Sequence, residues 1–95
     1  MTSKQRAYLK KESNALDPVY LVGKNGIEES ILRGISEVLK ARELIKISVH
    51  ETSEYTAKET AKVVVEKLDA EVVQVMGRRI VMYKRNPEIN RYGVE

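Results

Sequence analysis

Residues 19 to 50 change hydrophobic period twice, and the change leaves very few topologies open. Val19-Tyr20-Leu21-Val22 is an apolar run held between Pro18 and Gly23, the pattern of a short buried strand. Gly23-Lys24-Asn25-Gly26 follows, and Asn-Gly alone would suit a hairpin turn. Ile27, Ile31, Ile35, Val38 and Leu39 then recur at helical spacing, with Glu28 and Glu29 in the first turn, where negative charge favours the helix dipole. Leu44 to His50 alternates, with Ile45, Ile47 and Val49 on one side and Lys46, Ser48 and His50 on the other, as in a half-covered strand. Strand, glycine loop, helix and strand make a crossover unit, whose strands run parallel and whose connection is right-handed. Gly34 sits inside the helix at a cost of about 1 kcal/mol relative to alanine. It marks either a close backbone neighbour or an incidental surface position.

The flanking segments complete the order. Thr2-x-x-Gln5 is a capping box opening a first helix, in which Tyr8, Leu9, Ala15 and Leu16 share a face opposite Arg6 and Lys10 and which Asp17-Pro18 ends. Thr56-x-x-Glu59 is a second capping box, with Ser53 an alternative cap, opening a helix striped by Ala57, Ala61, Val64, Val65 and Leu68. Val72 to Met76 and Ile80 to Tyr83 are strands joined at Gly77-Arg78-Arg79, where a leading glycine suits a type II′ turn. The expected fold is an α/β two-layer sandwich in the order α-β-α-β-α-β-β with a four-stranded mixed sheet. Its first three strands are parallel, the two crossover helices share one face, and the first helix covers an edge or part of the other face. Residues 1–86 form a single domain, and Asn86-Pro87 leads into a C-terminal tail, 87–95, of uncertain order.

Composition removes several function classes. The chain has no cysteine and one histidine, so disulfides, thiol catalysis and the common zinc arrangements are not expected, and neither is any cofactor. His50, beside Glu51 and Glu54, reads as a surface residue rather than a base, and no catalytic site is expected. Gly23-Lys24 is not a phosphate-binding P-loop, because Pro18 and Asn25 stand where such a loop needs glycine and Ser or Thr. No apolar run approaches the length of a membrane span, and the charged opening segment does not lead into a signal-peptide core. A soluble, cytoplasmic, monomeric protein is expected.

Charge is segregated along the chain. Residues 1–26 carry five basic against two acidic side chains, 27–76 seven against ten, and 77–95 five against two. Folding that joins the two basic ends would give one cationic side suited to a polyanion. The candidate residues are Lys4, Arg6, Lys10 and Lys11 in the first helix, Lys24 in the glycine loop, and Arg78, Arg79, Lys84 and Arg85 around the last strand. The last four make either a second cationic cluster or a solubilising turn with a charge-protected edge. Gly23, Lys24, Asn25 and Gly26 are the sharpest feature. Glycines permit positive φ and close approach of a ligand, and exposed amides beside a helix N-terminus form an anion-binding nest. With five tyrosines and neither Phe nor Trp, base stacking is not expected as the main term, and phosphate and sugar contacts are.

Thr2-Ser3-Lys4-Gln5-Arg6-Ala7-Tyr8-Leu9, Val22-Gly23-Lys24-Asn25-Gly26-Ile27, Glu43-Leu44-Ile45-Lys46-Ile47 and Gln74-Val75-Met76-Gly77-Arg78-Arg79-Ile80-Val81-Met82-Tyr83-Lys84 together resemble the bacterial YhbY-type proteins. These are stand-alone members of the chloroplast RNA splicing and ribosome maturation (CRM) domain family, and the resemblance spans nearly all of residues 1 to 85. It implies a fold like that of the C-terminal domain of translation initiation factor three. It also implies RNA binding through the G-x-x-G loop and association with ribosomal RNA in precursors of the large subunit. The alternative partner is a basic ribosomal protein docked on the acidic middle or on a sheet edge.

Overall fold

The computed structural model describes residues 1–94. Its elements are α1 (Ser3–Ser13), β1 (Tyr20–Val22), α2 (Glu29–Arg42), β2 (Leu44–Val49), α3 (Ala57–Leu68), β3 (Glu71–Met76) and β4 (Arg79–Tyr83). The four strands form one sheet in the order β1-β2-β4-β3. β1 pairs with β2 in parallel, and β4 lies antiparallel between β2 and β3, so β1, β2 and β3 all point the same way. This is the expected mixed sheet. Both capping boxes form: Thr2 Oγ1 accepts the Gln5 N–H at 3.1 Å and Thr56 Oγ1 the Glu59 N–H at 3.1 Å. The Thr56 bonds hold the Glu59 carboxyl below the usual carboxylate range. At the β3–β4 turn Gly77 takes a φ of +58°, as the first position of a type II′ turn requires.

The inward side chains divide between two faces. Val22, Ile35, Leu39, Ile45, Ile47, Val49, Ala61, Val64, Ile80 and Met82 form the main core under α2 and α3. Leu9, Leu44, Val73, Val81, Tyr83 and Val94 form a second core, with α1 laid across the opposite face. That layer corrects the half-covered reading of β2: Lys46 is buried on the face that carries α1, where it borders one cavity with Ala15, Leu16 and Asp17 of the turn after that helix. The helix itself stops at Ser13, short of Asp17-Pro18. Ser13 Oγ donates to the Lys10 carbonyl at 2.7 Å, and tight turns from Glu12 to Ala15 and Ser13 to Leu16 replace the helical ladder. Gly34 has a close neighbour, but it is a side chain and not backbone. A Cβ there would lie 2.9 Å from Tyr20 Cε2.

Residues 86–94 pack onto the domain, and one acidic side chain explains how. Glu43, fully buried at the C-cap of α2, has φ +64° and ψ −47°. Its carboxylate accepts the Asn86 N–H at 2.9 Å and the Arg91 N–H at 2.6 Å, while its carbonyl accepts the Lys84 N–H at 2.9 Å. These bonds deliver Tyr92 and Val94 to the second core, where the Tyr92 and Tyr83 rings meet edge to face at 6.3 Å. Burial, reinforced by the Glu43 charge, raises the Tyr83 pKa. Glu95, the last residue of the expected tail, lies outside the described residues.

A positive φ costs a non-glycine residue about 1–3 kcal/mol, whereas each bond to a charged group contributes about 1.5–3 kcal/mol. Glu43 therefore stays on balance because of its side chain. Chemical denaturation of Glu43→Ala is expected to show a loss of about 3 kcal/mol or more, with faster amide exchange at Asn86 and Arg91. Glu43→Gly, which relieves the backbone, should lose about 1 kcal/mol less.

Candidate nucleic-acid interface

The carboxyl ends of β1, β2 and β3 open at one end of the sheet, so the loops that follow them are neighbours. Backbone bonds fix their spacing. The His50 N–H reaches the Val22 carbonyl at 2.9 Å, joining the ends of β1 and β2, and the Val49 N–H reaches the Arg78 carbonyl at 2.7 Å, joining β2 to the hairpin tip. The G-x-x-G loop, the 50–56 loop and Arg78-Arg79 are thereby held as one unit.

Within the glycine loop the Gly26 N–H donates to the Gly23 carbonyl at 3.1 Å, closing a turn with Lys24 and Asn25 exposed at its tip. Among the described residues, the Lys24 and Asn25 amides have no acceptor. Glu28 makes no side-chain bond to the start of α2, so the positive end of that helix is also uncapped beside the loop. The two glycines have different tasks. Gly26 is buried with φ +69°, and a Cβ there would lie 3.0 Å from Cδ2 of Tyr55. The ring, and not a ligand, occupies that space. At Gly23 a Cβ would meet nothing within 4 Å, which leaves that approach open.

The basic candidates separate. Lys24, Arg78 and Arg79 lie at the same end of the sheet, all exposed and without an ion pair among the described residues. Arg79 pairs with Ser48 on the sheet face that carries α1, so Lys4, Lys10 and Lys11, exposed on that helix, share its side of the molecule. α2 and α3 lie on the other side, with Glu28, Glu29, Glu51, Glu54 and Glu59 at the near ends of their connections. The remaining three do not join the cluster. The Arg6 guanidinium donates to the carbonyls of Val72 and, at 3.3 Å, Val73, where a bulge interrupts β3. Lys84 Nζ donates to the Leu68 carbonyl at 2.8 Å. Lys84 and Arg85 follow the far end of β4, about 14 Å along the strand from Arg79.

Uncharged members of this end escaped the sequence reading. Tyr55, 44% exposed, leans on the glycine loop from a stretch of Thr, Ser and Glu that reads as solvated. Leu21, Ser48 and Met76 form, with Arg79, a row across the four strands, with Leu21 56% and Met76 47% exposed. No periodicity distinguishes Leu21 from its buried neighbour Val22. Among the described residues no cluster of three or more His, Cys, Asp or Glu could hold a metal ion, and no helix is long and apolar enough to cross a membrane.

The family model for the CRS1 / YhbY (CRM) domain matches residues 1–84. The chain belongs to the CRM domain family. It is 36% identical over 88 residues to "Probable RNA-binding protein YqeI" of Bacillus subtilis, a match covering 93% of this chain and 92% of the relative. A Haemophilus influenzae protein named "RNA-binding protein" is 32% identical over 88 residues, covering 93% and 89%. The solution structure of SAV1595 from Staphylococcus aureus has a TM-score of 0.81 at 36% identity, covering all of this chain and 97% of that one. Fold and family thus agree with the resemblance seen in the sequence.

The contrast between the two glycines of this CRM domain is measurable as stability. Gly26→Val forces a β-branched residue to positive φ against the Tyr55 ring, and unfolding experiments should show a loss of about 1–3 kcal/mol. Gly23→Ala should stay within about 0.5 kcal/mol of the parent.

Proposed function

We propose that this CRM domain is a non-catalytic RNA-binding protein, acting in the cytoplasm as a monomer on ribosomal RNA of large-subunit precursors. The observation that carries the reading is the loop end itself. Two amides unpaired among the described residues, an uncapped helix N-terminus and the cations Lys24, Arg78 and Arg79, without ion pairs among those residues, lie at that end, a set of donors suited to phosphate oxygens. The printed names of the relatives support RNA as the polyanion. The link to ribosome assembly rests on the family resemblance. In this reading Lys10 and its neighbours on α1 extend the phosphate track, whereas Arg6 and Lys84 serve the fold, and selectivity comes from RNA shape and 2′-hydroxyl contacts.

Binding to a ribosomal RNA fragment, titrated against salt, tests this directly. Four or five phosphate contacts to single-stranded segments predict a slope of log affinity against log salt of about −2.8 to −3.5. Lys24→Ala should reduce its magnitude by about 0.7, and Lys84→Ala should leave it unchanged. Gly23→Ala should weaken binding without loss of fold. A flat salt response, or tight binding of a basic ribosomal protein without RNA, would favour the protein-docking alternative and overturn the proposal.

A further inference from the structure

We infer that Tyr55 is a seat for one unpaired nucleobase beside the phosphate-binding loop, so that the segment taken at this end is single-stranded or bulged rather than fully paired. The inference rests on the RNA-binding reading and specifies its substrate. Tyr55 is a large, half-exposed aromatic whose ring edge is braced against Gly26. Its backbone is fixed on both sides. The Ser53 N–H donates to the His50 carbonyl at 3.0 Å, the Tyr55 N–H to Ser53 Oγ at 3.3 Å, and Thr56 caps α3. A ring held in this way loses little freedom when a base stacks on it.

Charge assigns the occupant. Glu51 and Glu54 stand in the same loop as Tyr55, and Glu59 lies in the first turn of α3 with Lys58, so three carboxylates against one ammonium make a flank that disfavours phosphate while leaving a neutral base unopposed. Across Gly26, the free amides and Lys24 attract the phosphate of that nucleotide or the next. Base on the acidic flank and backbone on the basic one is an arrangement that an extended strand can adopt. A paired, stacked base cannot present its face to a side chain in this way.

The test compares the full chain and two variants on a short oligouridine, an abasic oligomer of the same length and a blunt duplex. Thermal unfolding confirms that each variant is folded. Tyr55→Leu keeps an apolar contact with Gly26 and removes the aromatic face. It should bind oligouridine about 5- to 150-fold more weakly, the range one stacked base contributes, while its affinity for the abasic oligomer and the duplex stays at the parent level. Tyr55→Phe should bind all three as the parent does. Equal binding of Tyr55→Leu and parent to oligouridine, or equal weakening on all three ligands, would overturn the inference and leave the RNA-binding reading standing. Failure of the parent chain to bind any of the three would overturn both.

Discussion

Two helical crossovers govern this molecule. Because α2 and α3 each return the chain to the same end of the sheet, β1, β2 and β3 run parallel and their carboxyl ends open together. Every feature of the candidate interface follows from that direction. Tyr55 lies 29 positions beyond Gly26 and 23 before Arg78, yet the glycine loop, the Tyr55 loop and the Arg78-Arg79 hairpin all sit at one end of a four-stranded sheet. The antiparallel insertion of β4 between β2 and β3 then sets the Arg79 end of the hairpin beside β2, tied to it through Val49.

Much of the remaining charge is consumed internally. Glu43 anchors residues 86–91, Arg6 satisfies carbonyls where the β3 bulge breaks the ladder, and Lys84 satisfies a carbonyl at the end of α3. Each is a charged group that compensates backbone polarity left over by an element's end or irregularity. The consequence for function is subtractive. Of the basic residues that read alike in the sequence, Arg6 and Lys84 are engaged with the domain's own backbone, Arg85 is exposed at the far end of β4, and the others lie at the loop end or exposed on α1.

Local physics was legible. The capping boxes at Thr2 and Thr56, the period change around Gly23–Gly26 and the glycine-led hairpin all depend on residues a few positions apart, and the structure contains them. The sequence allows α1 either an edge or part of the second face, because its weak apolar stripe does not say which surface it covers. What escaped depends on distant partners. Glu43 stands in a polar stretch, and its burial requires amides 43 and 48 positions away. Lys46 alternates as an outward residue, but its face of the sheet is the one that α1 and the turn after it occupy. Gly26 reads as a site for close ligand approach, whereas its open space is taken by Tyr55, a neighbour that no spacing rule connects to it.

The proposed interface puts RNA at the carboxyl end of the parallel strands. Amide chemical-shift mapping of the isotopically labelled chain, titrated with a single-stranded ribosomal RNA fragment at low salt, tests it most directly. The largest perturbations are expected at Gly23, Lys24, Asn25 and Gly26, with Tyr55, Arg78 and Arg79 following and Tyr83, Lys84 and Arg85 at the far end of β4 nearly unmoved. Perturbations centred on Lys84, Arg85 and the 86–94 segment, with a silent glycine loop, would contradict it.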